Sequence, residues 1–186
     1  MIQFNPDGGV FVDPVICSLD VREALNRRLL LFYTGVTRDA RDILARQRAG
    51  TAGKRAVLRR MCELARRGAD ILATGAPLEQ FGMLLDEAWH AKRSLDPAVS
   101  TPDIDRLYEA GKKAGALGGK LLGAGGGGFL LLYCEPRRQD RLREALAELT
   151  EVPFRLDPQG SKIIYVGDER SLVTAAPERA VAASRV

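Results

Sequence analysis

Apolar positions along the chain follow two rhythms, and the switches between them mark out its elements. Ile2-Gln3-Phe4 and Val10-Phe11-Val12 alternate on either side of the turn cluster Asn5-Pro6-Asp7-Gly8-Gly9, which predicts a β-hairpin. Leu29 to Tyr33 is an unbroken apolar run, the pattern of a fully buried strand. A loop, Thr34 to Arg38, and a short helix over Asp39 to Gln47 are expected next. From Lys54 to Ala73 the spacing becomes three and four. Val57, Met61, Leu64, Gly68 and Ile71 line one helical face, while Arg59, Arg60, Arg66 and Arg67 take the others. Leu78 to Ser94 repeats the pattern with Leu78, Phe81, Leu85, Ala88 and Trp89 inward. A third helix starts at Ser100-Thr101-Pro102, where proline suits the first turn. Its inner face is Ile104, Leu107, Tyr108, Gly111 and Ala114, with Gly111 and Gly115 letting the last turns lie close to a sheet.

Strands are then predicted at Gly118 to Leu122 and Phe129 to Tyr133. A helix follows Pro136 with Leu142, Leu146 and Leu149 inward, and strands at Val152 to Leu156 and Lys162 to Val166 close the order. From Leu29 onward this is an α+β fold, a ferredoxin-like split β-α-β-β-α-β with extra helices packed on one face of an antiparallel sheet. The initial hairpin stands apart. A lone hairpin is marginal in water, so Ile2, Phe4, Val10 and Val12 call for a sheet to join.

Between the two central strands lies the densest glycine stretch of the chain. Nine of the eighteen residues from Gly111 to Gly128 are glycine, and Gly125 to Gly128 are consecutive. Glycine loses more backbone entropy on folding than any other residue, so such density marks positive φ or close backbone approach. One reading is a concave anion site of bare N–H groups lying against phosphate. The other is a tight turn between buried strands, which accounts for one or two glycines but not four in a row; the density favours the anion reading. Gly123, Gly125 and Gly128 spell G-x-G-x-x-G, but a dinucleotide loop opens a helix and this one opens Phe129-Leu130-Leu131-Leu132. Gly119-Lys120 is followed by Leu121, which fails the P-loop pattern. No V-A-I-K, H-R-D or D-F-G accompanies the loop, which removes the protein kinases.

A strand, a glycine-rich turn and a strand, entered from a helix, resemble the third motif of the GHMP small-molecule kinases. Gly119-Lys120-Leu121-Leu122-Gly123-Ala124-Gly125-Gly126-Gly127-Gly128-Phe129 is most similar to the branch that phosphorylates D-glycero-D-manno-heptose 7-phosphate at its anomeric hydroxyl. Leu30 to Arg38, Asp86 to Leu95 and the hairpin Phe4 to Gly9 fit the same branch. The resemblance implies an ATP- and Mg²⁺-dependent phosphotransferase acting on a sugar phosphate. It places Gly123, Gly125, Gly126, Gly127 and Gly128 at the ATP phosphates, and Arg38, Lys92 and Arg93 at the acceptor's phosphate. Arg38 reads equally well as a solvated residue at a helix start. Family members also carry a P-x-x-G-L-G-S-S-A loop and a later aspartate near the acceptor hydroxyl, and neither occurs in these 186 residues. The expectation is therefore the C-terminal half of such a kinase, inactive alone. Residues 1–20 would be a hairpin remnant of an N-terminal domain, 21–170 the C-terminal domain and 171–186 a flexible tail.

Composition changes this picture little. The net charge of +4 comes from arginines spread over helices without aromatic interleaving, so nucleic acid is not an expected partner. Cys17, Cys62 and Cys134 are odd in number and scattered in apolar sequence, as for reduced, buried thiols without metal spacing. No apolar run approaches the roughly 18 residues of a membrane span, and a cytoplasmic setting follows. Expected partners are a sugar-phosphate substrate, a separate N-terminal kinase half and, through exposed strand edges, a second copy. No residue stands out as general base. Asp86, Asp96 and Asp103 read as generic helix or loop acids, and His90, on the same helical face as Asp86 and Arg93, as structural. Three classes remain: part of a split sugar kinase, a non-catalytic sugar-phosphate or nucleotide binding module, and a structural remnant.

Overall fold

The computed structural model describes residues 1–36, 41, 45 and 51–157. Arg38, the expected strand Lys162 to Val166 and the tail lie outside the described residues, as does the helix over Asp39 to Gln47 apart from Arg41 and Ala45. Met1–Leu156 form one compact unit; of a second, Asp157–Val186, only Asp157 is described.

Four strands form the main sheet: β3 (Leu29–Tyr33), β4 (Ala116–Leu121), β5 (Phe129–Cys134) and β6 (Thr150–Glu151). Their order is β4-β5-β3-β6, with every neighbouring pair antiparallel. Between β3 and β4 the described residues include α2 (Arg55–Thr74), α3 (Glu79–Arg93) and α4 (Pro102–Ala114), and α5 (Gln139–Ala145) joins β5 to β6. This is the expected split β-α-β-β-α-β order. A preceding helix, α1 (Leu19–Asn26), is capped by the Ser18 hydroxyl, which accepts from the Val21 amide.

The helices do not keep to one face of the sheet. Side chains alternate along a strand, and both sets on β3 and β5 are covered. Leu30, Phe32, Leu130 and Leu132 pack with Ile104, Leu107 and Tyr108 of α4 and Leu142 of α5. Leu29, Leu131 and Tyr133 instead pack with Leu25 of α1 and Phe81 and Leu85 of α3. The unbroken apolar run of β3 already required this, because a strand without polar alternation needs cover on both sides. The extra helices supply it. The approach of α3 to the sheet rests on two missing side chains: a Cβ on Gly118 would sit 2.1 Å from the Gly82 carbonyl, and one on Gly82 would sit 2.6 Å from the Tyr133 ring.

Two strand expectations need correction. β4 begins at Ala116, with a register shift before Gly118. β6 is only Thr150–Glu151, and Val152 adds one further bond, from its amide to the Leu31 carbonyl. The ladder stops at Pro153, which has no N–H to donate.

β1 (Ile2–Phe4) and β2 (Val10–Val12) form a separate two-stranded hairpin with Ile2 opposite Val12. Both faces are exposed: Phe4 on one is 76% exposed and Phe11 on the other 60%. The cysteines also depart from expectation. All three are free, but only Cys134 is buried, while Cys62 is exposed on α2. Among the described residues no helix is long and apolar enough to cross a membrane.

Candidate functional site

β4 and β5 are joined by Leu122 to Gly128, and this loop is built almost wholly from backbone. Gly123, Gly125, Gly126 and Gly128 take φ values of 78°, 126°, 74° and 105°, a region that side chains disfavour. Two glycines are also needed for space. A Cβ on Gly125 would lie 2.8 Å from the Val99 Cα, and one on Gly127 would lie 2.5 Å from the Val36 carbonyl oxygen. Every glycine in the run of four thus has a reason inside the fold. Glycine density alone does not require a phosphate.

The loop is held at three points. At its exit, Thr34 and Gly128 bond reciprocally: the Thr34 amide donates to the Gly128 carbonyl at 2.9 Å, and the Gly128 amide reaches Thr34 Oγ1 at 3.1 Å and the Val36 carbonyl at 2.7 Å. In the middle, the Gly126 amide donates to the Val99 carbonyl at 3.0 Å. At the entry, Lys92 Nζ donates to the Gly123 carbonyl at 2.6 Å and more weakly to the Leu121 carbonyl at 3.4 Å. The amides of Gly126 and Gly128 are therefore engaged, which narrows the five glycines singled out from the sequence. Gly123, Gly125 and Gly127 have N–H groups that donate to no other described residue.

The cations proposed for the acceptor's phosphate have partners too. Arg93 forms an ion pair with Asp105 at 2.7 Å, and the other oxygen of that carboxylate accepts from the Ser100 hydroxyl at 2.6 Å. Ser100 follows Val99, so this network borders the carbonyl that receives Gly126. Lys92 is half-buried. Burial, with a smaller contribution from the Lys120 ammonium, pushes its pKa down to about 8. The Lys120 ammonium has no hydrogen bond or ion pair to a described residue, and the side chain lines a largely apolar cleft of about 510 Å³ together with Lys92. Lys120 belongs to the glycine motif, but the family resemblance gives it no site role. Its place on the edge strand β4, next to the loop entry, is the signal the sequence offers.

Asp86, His90 and Arg93 do not assemble into a triad. Asp86 accepts from the Tyr108 hydroxyl at 2.5 Å and pairs with Lys112 at 3.1 Å, while exposed His90 stands 3.8 Å away. Burial and the Asp86 carboxylate together hold the Tyr108 hydroxyl protonated well above its ordinary range. No group of three or more His, Cys, Asp or Glu side chains among the described residues is placed to hold a metal ion.

Against this geometry, similarity to known proteins is informative. Residues 64–151 match the family model described as GHMP kinases C terminal. The chain is 32% identical over 150 residues to the bifunctional fucokinase/GDP-fucose pyrophosphorylase of Arabidopsis thaliana, covering 78% of this chain and 14% of that protein. It is 28% identical over 148 residues to the D-glycero-alpha-D-manno-heptose 7-phosphate kinase of Campylobacter jejuni, covering 78% of this chain and 43% of that enzyme. Among solved structures, L. major mevalonate kinase in complex with R-mevalonate superposes with a TM-score of 0.62 at 19% identity, over 77% of this chain and 43% of that one. That likeness concerns the fold. The match over residues 64–151 bears out the resemblance to the GHMP kinases that the glycine motif carries. The chain spans less than half the length of either curated relative.

Proposed function

We propose that this chain is the C-terminal portion of an ATP-dependent sugar kinase of the GHMP type, which phosphorylates the anomeric hydroxyl of a sugar phosphate such as heptose 7-phosphate. The observation that carries the reading is the combination of the glycine loop with similarity to two proteins whose names specify sugar kinases. Phosphoryl transfer depends on positioning and on stabilising charge at the phosphoryl oxygens. In this reading the N–H groups of Gly123, Gly125 and Gly127 face the transferring phosphate, and Gly126 and Gly128 shape the loop around them. Lys120 and, outside the described residues, Arg38 supply positive charge for the sugar's own phosphate. Mg²⁺, which is commonly held by one or two carboxylates together with substrate phosphates, belongs to the complete enzyme in this reading. The ATP phosphates fall to a separate N-terminal kinase half, in a cytoplasmic setting.

A second reading, a non-catalytic sugar-phosphate or nucleotide binding module, is favoured by one detail. Asp86 of α3 is taken up by Tyr108 and Lys112 and is not free to act as a base. One experiment separates the two. ADP release is followed with heptose 7-phosphate and with L-fucose as acceptors, for the 186-residue chain alone and mixed with an N-terminal kinase segment bearing a P-x-x-G-L-G-S-S-A loop. Turnover is expected only in the mixture. Its absence on both acceptors, from two folded and associated segments, overturns the kinase reading in favour of the binding module.

A further inference from the structure

The last turn of α3 carries the two cations, Lys92 and Arg93, that a substrate phosphate would have been expected to claim. Their partners point elsewhere. Lys92 Nζ meets the carbonyls of Leu121 and Gly123, where the chain leaves β4 and enters the loop. Arg93 grips Asp105, Asp105 grips Ser100, and Ser100 is covalently next to Val99. Val99 is fully buried and receives the Gly126 amide. Asp96 and Thr101 cap the two ends of this short connection: the Asp96 carboxylate accepts from the Ala98 amide and the Thr101 hydroxyl from the Ile104 amide. Segment 96–101 is thus a fixed ledge, and the loop's middle rests on it. One helix turn touches both the loop's entry and that ledge.

We propose that Lys92 and Arg93 are positioning residues for the glycine loop. Lys92 holds the loop's carbonyls toward α3, so that the side presented outward is the one bearing the N–H groups of Gly123, Gly125 and Gly127. Arg93, through Asp105 and Ser100, sets the height of the Val99 carbonyl and with it the position of Gly126. A loop of glycines has no side chains to lock it, and the entropy of so many unrestrained residues would otherwise spread it over many conformations. Substrate phosphate is not the partner of either cation. The inference extends the loop role given above, but it concerns the ligand-free chain and is tested there.

The test is amide hydrogen exchange, residue by residue, on the 186-residue chain and on Lys92→Met, Lys92→Arg, Arg93→Met and Asp105→Asn. A net hydrogen bond contributes about 1 kcal/mol, so the Gly126 amide is expected to exchange about 5- to 10-fold faster in Lys92→Met, Arg93→Met and Asp105→Asn. Leu131 and Leu132 in β5 should keep their protection. Lys92→Arg, which can still donate to two carbonyls, should restore wild-type exchange at Gly126. A residue that merely stabilised the domain would move the β5 amides together with Gly126. If Arg93→Met fails to fold, Ser100→Ala removes the ledge's hydrogen bond alone and carries the same expectation. Unchanged Gly126 protection in the folded variants, or equal acceleration at Leu131 and Leu132, overturns the proposal. Neither outcome depends on nucleotide or sugar binding, so the kinase reading stands or falls separately.

Discussion

The glycine loop and the β1–β2 hairpin invert the usual relation between composition and burial. The loop has almost no apolar side chains, yet Gly125 and Gly126 are buried and pressed against Val99. The hairpin is rich in Ile, Val and Phe, yet Ile2, Phe4, Val10, Phe11 and Val12 are all more than half exposed. Burial is decided by what faces a segment, not by its own hydrophobicity. The loop has a ledge, a helix end and the β3 exit around it; among the described residues, the hairpin's Met1 and Ile2 border the cleft beside α2 and α3. The loop should therefore tolerate almost nothing, and the hairpin almost anything, as far as folding is concerned.

The strongest way to test that contrast is inside the loop. Gly125→Ala places a methyl against the Val99 backbone at a φ of 126°. Left-handed strain of about 1–2 kcal/mol and overpacking of about 1–3 kcal/mol together predict a loss of about 3 kcal/mol, or roughly 6–12 °C in Tm for a chain of this size. Gly123→Ala, with a φ of 78° and nothing within 4 Å, meets the strain alone. Its loss should be about 1 kcal/mol. Calorimetric melting of both variants checks the difference. Equal losses would mean the loop is not seated on Val99.

A smaller effect follows from Lys92. Its pKa is about 8 in the folded chain, against 10.5 for an ordinary lysine. The folded state gives up the proton first, so between those values the unfolded chain binds more protons and stability rises with pH. Lys92→Met should lack this rise, and urea titrations at steps from pH 7.5 to 9.5 should show the two curves diverging upward for the wild type. Tyr108 and Tyr133, both pushed above their ordinary range, bring stability down only once pH passes the unfolded tyrosine value of 10, and they do so in both proteins. Parallel curves would place the Lys92 ammonium in solvent rather than at the loop carbonyls.

Much of the fold was legible because it is written in local pattern. The run Leu29–Tyr33, the three-and-four spacing around Leu64 and Ile71, and Pro102 after Thr101 each specify an element without reference to the rest of the chain. Even the cover on both faces of β3 was implicit in its lack of polar alternation. The brevity of β6 is readable from Pro153, which has no amide to continue a ladder. The site was another matter. The motif marked the loop, but its glycines answer to Val36 and Val99, residues distant in sequence, and no spacing rule joins them. The sequence displays Lys92 and Arg93 as cations at a helix end, where phosphate is an obvious partner. That they meet Gly123 and Asp105 depends on how α3, α4 and β4 converge, which is tertiary information. The nearness of Lys120 to Lys92 is tertiary information of the same kind.

The smallest expected effect on stability, and the sharpest test of the other half of the comparison, comes from the hairpin. Phe4 and Val12 leave most of their surface in water, so Phe4→Ser and Val12→Thr remove little that is buried. Substitutions at such positions usually fall within about ±0.5 kcal/mol. The melting temperature should stay nearly constant for the single and the double variant. Self-association should not. Unpaired strand edges beside exposed apolar side chains invite pairing with another chain, so the wild type is expected to form dimers or larger species at high concentration by light scattering, and the double variant to shift toward monomer. A matching N-terminal kinase segment, if it covers this surface, should suppress association of the wild type to the same degree. A large drop in melting temperature for Phe4→Ser would mean the hairpin is folded against its own domain in solution. A wild type that stays monomeric while its stability ignores both substitutions would mean the exposed strands are tolerated without any partner, and the contrast with the loop would then concern burial alone.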